Sequence, residues 1–358
     1  MTTAFDPIDL SGKKLANRIA MAPMTRSRAF GPGLTPTDSV VEYYAQRAGA
    51  GLIITEGIQP SITGQGYPDT PGLHSDEQVA AWRRVTDAVH AKGGKIFAQL
   101  MHSGRIGHPS LFPDGRSSVA PSAVAAAGQL FTHEGPKDFL PPRALDTAEI
   151  PEVVEEFTHS ARNAVEAGFD GVELHGANGY LIQQFLASNT NQRTDEWGGS
   201  VENRIRFATE VTRSVVAAIG ADRTGIRLSP RNEYNDIAET DAHEVYPALI
   251  RELDPLGLAY VHISEANEKA REITLELRRQ YRGTVVLNPA TEGPTDHAAL
   301  PLIAEGVADI IAFGSLFLAN PDLPVRLQSE GPYNAPVPTA FFGGGDEGFI
   351  DYPVLSTV

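Results

Sequence analysis

The sequence predicts an α/β fold, a (β/α)8 TIM barrel, and three observations support that class. Eight short apolar runs recur along the 358 residues. Longer amphipathic segments alternate with these runs, as βα units around a parallel sheet require. The first run is not followed by a GxGxxG turn, which disfavours an open dinucleotide-binding sheet. Eight units in strict alternation therefore favour closure into a barrel.

The eight apolar runs are predicted as strands because each is short and rich in residues that favour a buried parallel sheet. In chain order they are Ile19–Met24, Leu52–Gln59, Lys95–Met101, Gly171–His175, Gly225–Ser229, Ala259–Ser264, Thr284–Asn288 and Asp309–Gly314.

Four intervening segments are predicted as helices. Ser75 and Gln78 have the spacing of a capping box at the start of the first helix, and Gly93-Gly94 is a typical helix end. The four segments are Asp76–Lys92, Pro151–Ala167, Val201–Ile219 and Ala242–Leu253.

Three further segments lie outside the alternating pattern. We expect a β-element ahead of the barrel, and a long insertion at residues 103–145 after the third strand. Because the insertion is rich in Pro and Gly and has no evident secondary structure, it is predicted to be a lid or binding loop. A tail at residues 331–358 is expected to cap the barrel mouth, and the chain 1–358 is interpreted as one domain.

Composition excludes several classes of protein. The chain has no cysteine, which rules out disulfides, thiolate catalysis and cysteine-bound metal. A formal net charge of -16 disfavours binding to nucleic acid or to an anionic membrane. No apolar stretch is long enough for a membrane span, and Met1–Asp6 lacks a signal pattern. We expect a cytoplasmic enzyme, monomeric or homodimeric, that acts on a small molecule.

Polar residues at the carboxyl ends of the predicted strands are the candidate site, because barrel enzymes place their chemistry there. Each has an alternative structural explanation: Gln99 as a buried polar group, Arg227 as half of a buried ion pair, His175 as an interior histidine. Asn178 and Tyr180 could cap and pack the following helix. As a set, the candidates suggest a site for a flat, electron-accepting ring and a second reactant, and they are Thr25, Gln99, His175, Asn178, Tyr180 and Arg227.

The sequence also resembles the Old Yellow Enzyme family over nearly its whole length. The segments that carry this resemblance, in order along the chain, are 17–26 (NRIAMAPMTR), 72–75 (GLHS), 98–105 (AQLMHSGR), 171–175 (GVELH), 191–200 (NQRTDEWGGS), 203–204 (NR), 319–323 (ANPDL), 342–345 (FGGG) and 351–353 (DYP).

The resemblance implies an FMN-dependent ene-reductase that NAD(P)H reduces. Its substrate would be an activated alkene, an α,β-unsaturated carbonyl or nitro compound. His175 and Asn178 would hold the substrate oxygen, and Tyr180 would protonate the α-carbon. The residues expected to contact the cofactor are Pro23, Met24, Thr25, Gly57, Gln99, Arg227 and Gly314.

Three positions depart from the family pattern. Met101 stands where many relatives have Trp. The turn after the seventh strand reads Asn288-Pro289, where a glycine-containing turn usually binds the FMN phosphate, and proline has no N–H to donate. Ser315 follows Gly314 where an Arg is usual. These departures keep two alternatives open: a deazaflavin, coenzyme F420, as the cofactor, or a flavin-free, redox-neutral isomerase or cyclase.

No metal site is predicted. The ten histidines include no HExxH pattern and no cluster at ligand spacing. His102 and His108 lie on the loop after the third strand and are expected to be solvated.

Overall fold

Eight parallel strands close into a barrel in the computed structural model, which describes residues 2–355. Six short strands lie outside the barrel: β1 and β2 precede it, and β6 to β9 lie in the insertion after β5. In chain order the strands are β1 (Ile8–Leu10), β2 (Lys13–Leu15), β3 (Ile19–Met21), β4 (Leu52–Ile58), β5 (Ile96–Leu100), β6 (Val119–Ala120), β7 (Gln129–Thr132), β8 (Gly135–Asp138), β9 (Arg143–Ala144), β10 (Gly171–Gly176), β11 (Thr224–Leu228), β12 (Tyr260–Ser264), β13 (Val285–Asn288) and β14 (Ile310–Phe313).

The barrel strands follow one another in sequence order around the ring, and β14 closes onto β3. All eight predicted strands are confirmed, with bounds that differ by at most three residues at either end. Their apolar runs are continuous because barrel strands are covered by side chains inside and by helices outside. The (β/α)8 fold predicted from the sequence is therefore confirmed.

The helices surround this barrel. They are α1 (Asp38–Gln46), α2 (Asp76–Ala91), α3 (Ile150–Glu166), α4 (Leu181–Leu186), α5 (Val201–Ile219), α6 (Ala242–Leu253), α7 (Ala270–Gln280), α8 (Pro301–Ala304), α9 (Ser315–Ala319) and α10 (Leu323–Gln328). The predicted bounds of α5 and α6 are confirmed, and those of α2 and α3 shift by one residue. The capping box of Ser75 and Gln78 is formed at the start of α2. No helix within residues 2–355 has the length and apolarity of a membrane span.

The hairpin of β1 and β2 is the N-terminal β-element, and it closes the amino-terminal end of the barrel. Its turn is held by the Gly12 N–H, which donates to the Asp9 carboxylate at 2.6 Å. Leu10 and Leu15 are buried against residues at the starts of barrel strands, including Leu52. The open end of the barrel is therefore the end where the strands finish.

The sequence predicted no secondary structure in the insertion at residues 103–145, but the insertion contains two pairs of short strands. Strands β7 and β8 pair antiparallel into a hairpin, and β6 pairs with β9. Phe131 in β7 is 71% exposed and projects at the barrel mouth. Whether this hairpin opens and closes as a lid stays a prediction.

The segment expected to cap the barrel, residues 331–358, is described as far as 355, and 356–358 lie outside the described residues. Two buried arginines that follow β3 hold this segment. Arg26 donates to the Phe341 and Ala340 carbonyls at 3.0 and 3.1 Å, and Arg28 donates to the Gly345 carbonyl at 3.1 Å. This attachment places Phe342 beside the barrel mouth.

Candidate active site

A cavity of about 650 Å³ opens at the carboxyl ends of the barrel strands. Its base is polar, and its outer wall, built from the insertion and the C-terminal segment, includes three phenylalanines, Phe131, Phe139 and Phe342. Seven of the ten predicted site residues line it: Pro23, Thr25, Gln99, His175, Asn178, Tyr180 and Arg227. The strands that carry these residues are far apart in sequence, and closure of the barrel brings them together.

The other three predicted residues lie elsewhere. Gly57 pairs with Gln99 across β4 and β5 and faces the Met101 side chain, so that a Cβ at this position would lie 2.6 Å from the Met101 Sδ. Met24 packs against the hydrophobic core. Gly314 lines a second, smaller cavity. Contact of these three residues with a cofactor stays a prediction.

The orientation of Gln99 is fixed from below by Glu173, whose carboxylate accepts from the Gln99 Nε2 at 2.8 Å. Glu173 is fully buried, and its other oxygen lies 2.8 Å from the His262 Nδ1. Burial alone would raise the pKa of Glu173, but His262, Arg227 and the hydrogen bonds hold that pKa below its usual value. An ionised carboxylate accepts only, so Gln99 must donate to it and leaves its Oε1 free for a donor in the cavity.

Arg227 provides the positive charge at the base of the cavity. Its Nη2 donates to the Ser264 Oγ at 3.1 Å and to the Asn288 Oδ1 at 3.3 Å. Its Nε is buried and has no hydrogen-bond partner within residues 2–355. Because an unpaired buried donor is costly, a ligand atom that accepts from Arg227 would be stabilised here.

His175 and Asn178 present donors to the same cavity. Burial and the nearby Arg227 lower the pKa of His175 well below its usual value, so the imidazole is neutral at pH 7. The Tyr234 N–H donates to the Asn232 Oδ1 at 3.0 Å, and the Asn232 Nδ2 therefore donates to the Asn178 Oδ1 at 2.8 Å. This chain of hydrogen bonds occupies the Asn178 oxygen and leaves its amide N–H groups to bind an acceptor.

Tyr180 is positioned by the turn that precedes it. Asn178 and Gly179 have φ angles of 56° and 75°, and a Cβ on Gly179 would lie 2.6 Å from the Asn235 Cβ. Only glycine fits there without displacement of the backbone. The Tyr180 hydroxyl lies 2.9 Å from the Tyr67 hydroxyl, and burial raises the pKa of both tyrosines. Tyr180 is therefore protonated at neutral pH.

Sequence reasoning missed three residues of this site. Glu173 and His262 lie inside barrel strands, and a charged or titratable residue within an otherwise apolar run was the signal available for both. Tyr67 carried no comparable signal, because it lies in a loop before α2. The sequence analysis also interpreted Gln99 as a buried polar group. That interpretation is correct, since Glu173 is its hydrogen-bond partner, and it is compatible with a role of Gln99 in the site.

The prediction that His102 and His108 are solvated is wrong. Both are buried, and burial lowers the pKa of His102 to about 3. The Gly104 N–H donates to the His102 Nδ1 at 3.1 Å, so His102 helps to shape the first turn of the insertion. The apparent loop after β5 is packed against the barrel, which is why its histidines are hidden.

The second cavity, of about 270 Å³, lies beside the first at the ends of β13 and β14. Asn288 lines it and accepts from Arg227, which lines the main cavity. Its lining residues are Glu265, Ala266, Asn288, Pro289, Ala290, Thr291, Gly293, Pro294, Thr295, Gly314 and Ser315.

The two cavities differ in how well they fit the parts of a flavin nucleotide. The main cavity fits a flavin ring, because it offers the free Gln99 oxygen, the unpaired Arg227 Nε and the size of a cofactor pocket. The second cavity fits a phosphate poorly. None of its lining residues is basic, and one of them, Glu265, is acidic.

Comparison with known protein families gives a match over most of the chain. The model of the NADH:flavin oxidoreductase / NADH oxidase family matches residues 3–334. 12-oxophytodienoate reductase 1 of Oryza sativa subsp. japonica is 39% identical over 362 residues, which cover 98% of this chain and 93% of that protein. A probable flavin mononucleotide-dependent alkene reductase of Leishmania infantum is 40% identical over 356 residues, which cover 98% and 96%.

Solved structures of two related proteins superpose closely on this chain. Morphinone reductase in complex with tetrahydroNAD superposes with a TM-score of 0.93 at 42% identity, covering 99% of this chain and 98% of that one. The Old Yellow Enzyme homologue from Zymomonas mobilis gives a TM-score of 0.93 at 41% identity, covering 99% and 100%. Coenzyme F420 finds no support among these relatives.

Proposed function

The chain belongs to the NADH:flavin oxidoreductase / NADH oxidase family and is an NAD(P)H-dependent oxidoreductase of the Old Yellow Enzyme type, and from that premise we propose that it reduces the C=C bond of α,β-unsaturated carbonyl or nitro compounds. One observation carries the proposal. Two donors that suit a substrate oxygen, His175 and Asn178, line the same cavity as a weak acid, Tyr180.

The base of the cavity would hold the cofactor. When bound and reduced by NAD(P)H, FMN supplies a hydride, which the β-carbon of the alkene accepts. Gln99 would offer its oxygen to a donor on the ring, and Arg227 would supply a positive charge that stabilises the electron-rich reduced ring. Thr25 offers a hydroxyl to a ring carbonyl, as the family resemblance implies.

His175 and Asn178 would stabilise the negative charge that develops on the substrate oxygen as the hydride arrives. Asn178 is held in place before the substrate binds by its hydrogen bond with Asn232, and the His175 ring, on the barrel strand β10, packs edge-on against Tyr180. Preorganised donors of this type contribute roughly 10²–10³-fold in rate for each donor. A neutral His175 suits this role, since it donates one hydrogen bond without adding a second charge beside Arg227.

Tyr180 would transfer its phenolic proton to the α-carbon, which completes the reduction. Its raised pKa keeps it protonated, and a carbanion-like carbon is basic enough to accept a proton from it. Tyr67, at 2.9 Å, would stabilise the Tyr180 anion by a hydrogen bond and relay a proton from solvent to the Tyr180 oxygen, so that both tyrosines end the cycle protonated. Tyr67 thus becomes part of the proposed proton path.

The outer wall favours apolar substrates. Leu130, Phe131 and Phe139 of the insertion face the cavity, as does Phe342 of the C-terminal segment. Phe131 and Phe342 remain largely exposed, at 71% and 66%, so an apolar substrate would cover surface that water now contacts.

The experiment is a pair of rapid-mixing measurements on Tyr180→Phe. We expect oxidation of the reduced enzyme by 2-cyclohexen-1-one to slow by roughly 10²-fold or more, because the proton donor is lost. Reduction of the same variant by NAD(P)H should change little, because hydride transfer to the flavin does not use Tyr180.

Tyr333→Phe is the matched control, since the Tyr333 hydroxyl contacts His297 and lies outside the cavity. This variant should retain both half-reactions. Equal slowing of both half-reactions in Tyr180→Phe would contradict the proton-donor role.

A further inference from the structure

We propose that the second cavity accepts an uncharged, hydroxyl-bearing end of a flavin, so that the protein binds riboflavin about as tightly as FMN. This inference rests on the proposed function, since it assumes that a flavin ring occupies the main cavity. It concerns the end of the flavin that lies farthest from the ring. The residues that line the second cavity, where this end would lie, differ chemically from those at the base of the main cavity.

The position of the second cavity makes it the place where a flavin side chain would end. Asn288, at the end of β13, accepts a hydrogen bond from Arg227 at 3.3 Å. A ring held beside Arg227 therefore lies next to the residue that leads into the second cavity. From Asn288 the cavity extends across the loop after β13 to Gly314 and Ser315 at the end of β14.

The lining residues of this cavity supply no charge that would attract a phosphate. Its eleven lining residues include no Lys, Arg or His, and the single ionisable one, Glu265, is a buried carboxylate. Arg271 is not available as a counter-charge, because its Nε and Nη2 pair with the two Glu265 oxygens at 2.7 and 2.8 Å. A phosphate dianion placed here would therefore meet a compensated ion pair, and no unpaired cation among the lining residues.

The backbone of the loop after β13 is also poorly suited to an anion. Pro289 has no N–H. The Ala290 N–H donates to the Glu265 Oε2 at 3.1 Å, so this amide already has an anionic partner. An oxyanion would have to displace the Glu265 carboxylate to reach it, which breaks a hydrogen bond for each one formed.

Neutral polar groups remain, and they match an alcohol. Thr295 and Ser315 carry hydroxyls, whereas the Thr291 hydroxyl already donates to the Gly293 carbonyl at 2.9 Å. The Asn288 amide is engaged as well, by Arg227 and by the Ala312 carbonyl. Hydroxyls both donate and accept, so a sugar alcohol can pair with hydroxyls and with the Glu265 carboxylate alike. A ligand that ends in a hydroxyl can therefore form hydrogen bonds in this cavity, whereas a phosphate would find no cation to pair with.

The test is a comparison of dissociation constants. Protein freed of flavin is titrated with FMN and with riboflavin, and binding is followed by the change in flavin fluorescence. We expect the two constants to agree within about threefold, whereas a site with a charge-assisted contact to the phosphate would favour FMN by more than tenfold. A preference for FMN of more than tenfold would overturn the inference.

Failure of the proposed function would give a different result. If neither flavin binds, the proposed function falls, and this inference falls with it. If FMN binds and riboflavin does not, the proposed function stands and only this inference is overturned.

A variant that adds the missing charge gives a second, independent measurement. Ser315→Arg places a guanidinium at the wall of the second cavity, and Ser315→Gln adds a neutral side chain as the matched control. We expect Ser315→Arg to raise the preference for FMN over riboflavin tenfold or more relative to Ser315→Gln. Equal effects of the two substitutions on the ratio of the two constants would count against the inference. The wild-type comparison decides the matter if either variant fails to fold.

Discussion

At the base of the main cavity, Arg227 and Glu173 are buried together, and Glu173 fixes the side chain of Gln99. At the wall of the second cavity, Ser315 and Asn288 offer neutral polar groups, and the one carboxylate is already paired with Arg271. The base of the main cavity would hold a ligand with buried charges that compensate one another and with a Gln99 side chain of fixed orientation. The second cavity would hold a ligand with hydroxyl groups. The difference implies that flavin affinity depends mainly on the ring, so changes at the base should affect FMN and riboflavin equally.

The largest effect is expected from Arg227→Met. This substitution removes the Arg227 charge, which together with His262 stabilises the buried Glu173 carboxylate, and loss of compensation for a buried charge is destabilising. The thermal midpoint of the flavin-free protein should therefore fall markedly, and both flavins should bind at least tenfold more weakly. Thermal unfolding and the two flavin titrations measure these effects.

The double variant Arg227→Met with Glu173→Gln is the control for that explanation. Because it removes both charges, it should recover part of the lost stability. If the double variant is as unstable as the sum of the two single variants, charge compensation is not the reason for the loss.

A smaller effect is expected from Glu173→Gln alone. Loss of the carboxylate leaves the Arg227 charge uncompensated beside the proposed ring site, which favours an electron-rich ring. The midpoint potential of bound flavin should rise by tens of millivolts, since a two-electron couple shifts by about 30 mV for each tenfold change in equilibrium. The ratio of the FMN and riboflavin constants should not change. Glu166→Gln, on the exposed end of α3, is the matched control, and a fall in potential would contradict the assignment.

The smallest effect concerns a second buried carboxylate, Glu56, whose charge is less well compensated than that of Glu173. Burial raises the pKa of Glu56 to about 7, although the Arg26 N–H and the Tyr44 hydroxyl lie near it. The folded state therefore binds a proton that the unfolded state releases near its usual pKa of 4.5. Stability from this group is full below pH 4.5 and is lost as the pH rises to about 7.

Thermal midpoints measured from pH 5 to pH 8 check this expectation. The wild type should lose stability as the pH rises toward 7, and Glu56→Gln should lose less. An identical pH dependence in both proteins would show that Glu56 does not titrate in this range.

The barrel strands and the helices α2, α3, α5 and α6 were predictable because local apolar periodicity determines them. The lining of the cavity was predictable because barrel strands end at one face. The hydrogen-bond partners of the lining residues were not predictable. Glu173 contacts His262, which is 89 residues away in sequence, and no local pattern encodes such a pair. The hairpin of β7 and β8 was missed because its strands are short and polar, as in the segment Gly135–Asp138.

The attachment of the C-terminal segment to Arg26 has a consequence for how the protein matures. Arg26 and Phe341 are 315 residues apart in the chain, so a ribosome completes nearly the whole barrel before the wall that carries Phe342 can form. Residues 341–349 also belong to no helix or strand, and segments with few regular backbone hydrogen bonds open early in local unfolding. Amide protons around residues 340–349 should therefore exchange sooner than those of the strands, and a nascent barrel would meet its first flavin with the mouth still open.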